Sequence, residues 1–297
     1  MNINLVGPFV VNAPFGTEIA FSKGLKKNGH TTNEVDPNID RDLTYLRSDF
    51  DATVVFKSCC GSEKYLKSLK HPVIVYQPDD ARFSHIREMI INMKNYSSYF
   101  LSFDNFGTEF ANAVGYLKSK TLLLTADDEL YSPSINDIER DIDISFIGSL
   151  SDSTAHKSRR EMIDIVNEFA NYNNLKTFFG STQNTRQIVD IYRRSKIVLN
   201  HATDVGQDFG YGYGLQCRHF EVGMTKTAIL SNTVYDKKFN LDFATFNSKQ
   251  DLIEKIDYLL SYDVYKYHAE NYYKQIMSFH TPEIRAAQLV KFIEECK

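Results

Sequence analysis

Two stretches of the chain carry groups suited to a diphosphate. The first runs Asp143-Ile144-Ser145-Phe146-Ile147-Gly148-Ser149-Leu150, a short apolar strand entering a small-residue loop, and continues to the basic helix start Lys157-Ser158-Arg159-Arg160-Glu161. The second, Cys217-Arg218-His219-Phe220-Glu221, sets an arginine and a glutamate one helical turn apart on an otherwise apolar segment. Gly148 and Ser149 let backbone N–H groups approach a ligand closely. A helix N-terminus just beyond them offers unpaired donors and the positive end of a dipole. Arg160 and Arg218 supply planar guanidinium forks that match phosphate oxygens, and Glu221 can accept bonds from vicinal hydroxyls. Each piece also has a plainer reading. Gly148-Ser149 suits an ordinary strand–loop–helix turn, and an i, i+3 Arg–Glu pair is often a surface ion pair. The segment before Arg218, Gly206 to Gly214, holds four glycines in nine residues. A backbone that must bend sharply or move there favours a ligand site.

A second kind of chemistry sits in the first half. Tyr76-Gln77-Pro78-Asp79-Asp80-Ala81-Arg82 ends an apolar strand. A carboxylate there can take the proton of an attacking hydroxyl. Adjacent aspartates point to opposite sides, so one of the two faces inward; a helix cap is the alternative role. Glu18 follows Gly16 at the start of the first helix, where a glutamate is also favoured by the dipole alone. No metal set emerges: the eight histidines are scattered, and Asp127-Asp128-Glu129 and Asp141/Asp143 read as solvated charge. Neither a dinucleotide fingerprint nor a Walker loop is present.

These groups need a scaffold. The 297 residues suit two domains of ordinary size. The first half alternates apolar strands (3–6, 52–56, 73–76, 97–102, 121–125) with helices (18–28, capped by Thr17 and stopped by Gly29, and 63–69). A polar stretch over 127–140 reads as a linker. The second half alternates strands at 144–147, 177–179, 197–200 and 227–231 with helices at 160–172, 185–195, 217–224 and 249–260; helix then runs from Tyr265 to the end with a break near His280-Thr281-Pro282. Near-continuous apolar strands alternating with helices imply parallel sheets covered on both faces. The expected architecture is α/β, with Rossmann-like domains over 1–126 and 141–278 facing a central cleft. Ligands bind beyond the carboxyl ends of the strands in such sheets. The formal net charge of −4 gives no global attraction to nucleic acid or anionic lipid. No apolar run approaches the roughly 20 residues that cross a bilayer, and the N-terminus lacks the pattern of a signal peptide. Cys59, Cys60, Cys217 and Cys296 have neither metal nor disulfide spacing. A reducing, cytoplasmic setting is the expectation.

Taken as a set, these motifs resemble the GT-B glycosyltransferases, and most closely the DNA β-glucosyltransferases of T-even phages. Gly148-Ser149, Arg160-Glu161 and Arg218-x-x-Glu221 are similar to that family's donor motifs, and Phe178-Phe179-Gly180 to its Phe-Phe-Gly segment. Asp80-Ala81-Arg82 resembles its Asp-x-Arg strand end, and Gly16-Thr17-Glu18 its N-terminal helix start. The spore-maturation-type glycosyltransferases are also similar, through Ile147-Gly148-Ser149, Leu199-Asn200, Arg218-His219-Phe220-Glu221 and His280-Thr281. The resemblance implies a GT-B fold whose last helix, 279–297, crosses back to the N-terminal domain. It implies a UDP-sugar donor held by Gly148, Ser149, Arg160, Gly180, Asn200, Arg218 and Glu221. Asp80 would be the general base of an inverting displacement, Glu18 would orient acceptor or sugar, and Gly16 and Arg82 would lie on the acceptor side. No cofactor or metal is required, although a divalent ion could assist product release. The implied acceptor is 5-hydroxymethylcytosine in double-stranded DNA, acted on by a monomer with no membrane partner, in the host cytoplasm if phage-encoded. The Gly206–Gly214 segment is longer and more aromatic than the family pattern. Transfer to a protein or polysaccharide hydroxyl, and a nucleotide-binding module without chemistry, are the alternatives.

Overall fold

Strand runs such as Ala52–Phe56 and Val73–Gln77 are buried at every position. Only a sheet covered on both faces can accommodate them. The computed structural model describes residues 1–9, 16–57, 63–133, 138–182, 184–202, 212–235 and 237–297. Cys59, Cys60 and the Gly206–Gly214 segment as far as residue 211 lie outside the described residues. Chain contacts divide the protein into two compact units, one of Met1–Asp127 with Thr281–Lys297, the other of Asp128–His280.

The first unit contains β1 (Asn2–Val6), α1 (Thr17–Lys27), β2 (Thr31–Val35), β3 (Ala52–Phe56), α2 (Glu63–Ser68), β4 (Val73–Gln77), α3 (Ser84–Met93), β5 (Tyr99–Ser102), α4 (Asn105–Ala113) and β6 (Lys118–Thr121). Its strands form one parallel sheet in the order β2-β1-β3-β4-β5-β6. Val55, Val75, Phe100, Ile86, Ile90 and Met93 pack in one apolar cluster. Phe21, Phe56 and Tyr76 form a second, aromatic contact with ring centroids 5.5–5.8 Å apart.

The second unit contains β7 (Ile142–Ile147), α5 (Lys157–Tyr172), β8 (Thr177–Gly180), α6 (Thr185–Arg194), β9 (Ser195–Asn200), β10 (Gly212–Tyr213), α7 (Cys217–Met224), β11 (Ala228–Ser231), β12 (Thr233–Val234), β13 (Ala244–Thr245), α8 (Lys249–Leu260) and α9 (Val264–Phe279). The order of its main sheet is β13-β11-β9-β7-β8, again all parallel, and β10 pairs with β12 in a small second sheet. The final helix, α10 (Pro282–Glu295), starts from a Thr281 cap with proline in its first turn. It belongs to the first unit and packs on α1. The contact is close because position 24 is glycine: a Cβ there would fall 2.2 Å from the Pro282 carbonyl oxygen. Asn28 Nδ2 donates to the Glu283 carbonyl at 2.8 Å, and the buried Arg285 donates to the Leu124 carbonyl at 3.3 Å.

Several sequence expectations shift. Thr17 does not cap α1; Gly16 holds that position, and the buried Thr17 hydroxyl donates to the Thr125 carbonyl at 3.0 Å. The expected strand over 121–125 lies earlier, at β6, because Lys118–Thr121 are the residues that pair with β5. Helix α5 begins at Lys157 rather than Arg160. Strand β2 and helices α3 and α4 are additions.

Candidate active site

In the second unit, β7 is flanked by β8 on one side and β9 on the other, so the strand order reverses there. A crevice at such a switch point is where open parallel sheets bind ligands. The residues at its carboxyl end converge on Arg218. This side chain enters from the first turn of α7, donates Nη1 to Asn200 Oδ1 at 2.8 Å, and bonds the Ile147 carbonyl through Nη2. It also lies over the Phe146 ring, 4.8 Å from the centroid. Gly148 makes the approach possible, since a Cβ there would sit 2.9 Å from Arg218 Nη2 and 3.0 Å from the Phe146 ring. Asn200 is fixed in turn by its Nδ2, which donates to Ser231 Oγ at 2.9 Å. Gly148 N donates to the Gly180 carbonyl at 2.8 Å, which ties the end of β7 to the end of β8. Arg218 Nε is buried and carries no hydrogen bond among the described residues. The Arg218 charge also acts on the Tyr192 hydroxyl and on Glu221, and a guanidinium at this end of the sheet is suited to an anionic ligand.

Glu221 lies one turn further along α7 and is buried. Burial is the main influence on its carboxyl and raises it from the usual 4.5 to about 7, against the pull of Arg218 and the tyrosines Tyr131 and Tyr192. The Tyr192 hydroxyl donates to Glu221 Oε2 at 3.5 Å. Between these residues, His219 Nδ1 accepts from Gln216 N at 3.0 Å, and burial drives the ring down to about 3. His219 is therefore neutral at physiological pH and serves to hold the start of α7.

The Glu221 shift sets a stability signature. The folded protein keeps this proton up to about pH 7, whereas the unfolded chain releases it near 4.5. The folded state then binds more protons across that window, so the Glu221 contribution to stability falls as pH rises from about 4.5 to 7 and levels off above. Glu221→Gln is expected to remove that fall, flattening the dependence of Tm on pH across the window. Thermal unfolding at a series of pH values checks it; an unchanged slope would show that Glu221 titrates normally.

The basic start of α5 differs from the sequence expectation. Ser149 is exposed, and the loop from Gly148 continues to a short 3₁₀ turn at Thr154–His156 before α5 begins. The α-helix N-terminus therefore does not follow Gly148-Ser149 directly. Arg160 directs its guanidinium to the carbonyls of Ser151 and Ser153. Arg159 is the buried neighbour: it donates to the carbonyls of Ser149 and His201, both at 2.9 Å, and lies 5.4 Å from the Phe146 centroid. It pins the loop after β7 to the residue following β9, with Arg218 against the same ring. The helical period could have found it, because Arg159, Met162, Ile163, Val166 and Ala170 share the buried face of α5. Sequence reasoning also misses Tyr131, within the expected linker, and Tyr192, because nothing in a lone tyrosine marks it beforehand.

In the first unit, Asp80 stands in the turn after β4. Its Oδ1 accepts from Arg82 N and from Arg82 Nη1, each at 2.9 Å. It is not a helix cap; Phe83 occupies that position on α3. Burial is the larger influence on the Asp80 carboxyl and raises it above the ordinary aspartate value, with Arg82 opposing. Glu18 lies elsewhere, in the first turn of α1 beside the ends of β1 and β3, where this sheet reverses its order. It is buried against Gly7, where a Cβ would come within 3.1 Å of Glu18 Cγ. Burial raises the Glu18 carboxyl, while Lys57 lowers it. Gly16 is the N-cap of α1. Among the described residues no group of three or more His, Cys, Asp or Glu is placed to hold a metal ion. No helix of the described chain is long and apolar enough to cross a membrane.

Residues 137–291 match a family model described as glycosyl transferase-like. No curated protein sequence matches the chain. Several solved structures share its fold. An alpha-glucosyltransferase in complex with UDP and a 13-mer DNA containing a central A:G mismatch aligns with a TM-score of 0.69 at 13% identity, over 99% of this chain and 100% of that one. A sucrose-phosphate synthase from Thermosynechococcus elongatus gives 0.65 at 10% identity, over 99% and 98%. A glycosyltransferase from Rickettsia africae gives 0.60 at 13% identity, over 99% and 98%.

Proposed function

The chain belongs to the glycosyl transferase-like family and has the GT-B fold, and from that premise we propose that it moves a sugar from a UDP-sugar to a hydroxyl group, best assigned to 5-hydroxymethylcytosine in double-stranded DNA. The observation that carries the donor assignment is Arg218, set over Gly148 at the end of β7 by Asn200 and the Ile147 carbonyl. In this reading Gly148, Ser149, Gly180, Asn200 and Arg218 hold the diphosphate. Arg218 neutralises it as it leaves, and Glu221 accepts from the ribose hydroxyls. Arg159 keeps the loop in place, and Arg160 lends positive charge at its rim. No metal is needed where a guanidinium and oriented backbone donors carry the leaving-group charge; a divalent ion would serve product release. Asp80 takes the proton of the acceptor hydroxyl as that oxygen attacks the anomeric carbon, which inverts the configuration. Glu18, Gly16 and Arg82 shape the acceptor side.

The DNA acceptor draws support from the relative solved with UDP and DNA. A base in a duplex must be flipped out to reach a carboxylate. The test is incubation with a panel of UDP-sugars and hydroxymethylcytosine-containing duplex DNA, followed by mass spectrometry of the digested nucleosides. The expected result is a glycosyl mass on the hydroxymethylated nucleoside with at least one donor. Transfer to protein or polysaccharide instead would redirect the acceptor, and UDP binding without any transfer would leave only a nucleotide-binding module. A second reading, retention of configuration, draws support from the relative described as an alpha-glucosyltransferase. The anomeric proton coupling of the product, read by NMR, decides between the two.

A further inference from the structure

We propose that Asp104 is a positioning residue for this reaction: through Arg82 it fixes which oxygen of Asp80 meets the acceptor hydroxyl, and it shares the Arg82 charge so that Asp80 stays basic. The inference rests on the role of Asp80 proposed above. Its ground is a three-residue relay inside the first unit. Arg82 Nη1 donates to Asp80 Oδ1 at 2.9 Å and to Asp104 Oδ2 at 2.7 Å. The three side chains are largely enclosed, with relative exposures of 13% for Asp80, 19% for Arg82 and 8% for Asp104. Arg82 is also stacked on the Phe106 ring, 4.7 Å from its centroid.

The anchor of the relay is built into the fold. Asp104 is the N-cap of α4, and its Oδ1 accepts from Gly107 N at 2.9 Å. Glycine at 107 lets that first turn close down, since a Cβ there would lie 2.1 Å from Ser102 Oγ. One Asp104 oxygen therefore holds a helix and the other holds a guanidinium. That guanidinium, with the Arg82 N–H, occupies Asp80 Oδ1 and leaves Oδ2 without a hydrogen bond among the described residues. In the transfer step the acceptor O–H proton passes to Asp80 Oδ2. The hydroxyl oxygen forms its bond to the anomeric carbon, and the bond from that carbon to the diphosphate breaks, its electron pair leaving with the diphosphate.

Two carboxylates against one arginine keep the local charge from pinning Asp80 as a weak base. The other titratable groups on the elements packed nearby make contacts of their own. Arg87 on α3 donates to the carbonyls of Ala81 and Arg82, and Lys57 after β3 pairs with Asp79 at 3.5 Å. His85, also on α3, packs its ring 5.7 Å from that of Phe83. Glu18 on α1 lies in the field of Lys57 and Asp79.

Asparagine caps a helix as well as aspartate does, so Asp104→Asn keeps α4 while deleting the charge. Of the two carboxylates on Arg82 Nη1, only that of Asp80 then remains charged. The Asp80 midpoint is expected to drop by about one pH unit, and the acidic limb of kcat/KM moves with it. Arg82→Gln leaves two carboxylates facing each other and should move the midpoint the other way. Carbon-13 NMR titration of the Asp80 carboxyl, assigned by its loss in Asp80→Asn, measures both without any substrate. Opposite shifts in the two variants are the expected result. An unmoved midpoint in Asp104→Asn, or shifts of the same sign, overturns the relay. A role confined to capping would change Tm and leave the midpoint where it was. If instead Asp80→Asn retains full turnover, the base assignment fails, whatever the titration shows.

Discussion

Asp80→Asn is expected to reduce sugar transfer by about 10²- to 10⁴-fold, the usual worth of a general base, while UDP affinity stays unchanged. The substitution isolates basicity from architecture. An asparagine oxygen can still accept from the Arg82 N–H and guanidinium, which now hold Asp80 Oδ1. Its fold and Tm should therefore remain close to those of the parent. The residues proposed to hold the donor belong to the other compact unit, so nucleotide binding should be spared. In the unsubstituted protein burial raises the Asp80 carboxyl, so activity should fall away on acidification at a pH above the ordinary aspartate value of 3.8. Steady-state turnover and calorimetric titration with UDP make the pair of measurements. Turnover equal to that of the parent would remove Asp80 as base and favour retention.

Arg218→Ala is expected to raise the UDP dissociation constant by more than about tenfold, as for loss of a charge-assisted hydrogen bond. The turnover number should fall further, by about 10²- to 10³-fold, because charge on the departing diphosphate grows as its bond breaks. The geometry explains why alanine cannot substitute. Arg218 ties Asn200 to the Ile147 carbonyl and covers the Phe146 ring. Its removal leaves Asn200 Oδ1 without that donor and opens space above Gly148. Arg218→Lys is the informative control, since it keeps the charge and loses the fork. It should recover part of the affinity and little of the turnover. Calorimetry and single-turnover kinetics check both, and an unaltered dissociation constant in the alanine variant would refute the role.

How far the sequence could be read follows from the kind of signal each element carries. Buried parallel strands announce themselves, and β3, α7 and α8 fall on the residues expected for them. Strand β2, Thr-Thr-Asn-Glu-Val, does not: it is a polar edge strand buried only at Val35, and its place is set by pairing with β1. The same limit separates Arg159 from Arg160. Adjacent arginines are alike in composition, and only the packed face of α5 selects the first for burial. Glu221 and Arg218 were legible as a pair one turn apart. That Arg218 meets Asn200 and passes over Gly148 was not, because these residues lie on separate strands and helices brought together by the sheet order.

By itself, then, the chain determined its periodicities and the chemical character of its strand ends: two alternating α/β halves, a glycine-serine turn, an Arg-x-x-Glu helix and an Asp-x-Arg turn. These depend on local spacing, which a linear pattern records. Tertiary structure alone decided which partners the side chains of each motif meet. Arg82 sits between Asp80 and Asp104, Arg159 is tied to two carbonyls, and Arg218 is set over Gly148 by Asn200 and the Ile147 carbonyl. The physical reason is that hydrogen bonds and desolvation depend on neighbours far apart in the chain, and only the parallel register of the sheets brings those neighbours within reach.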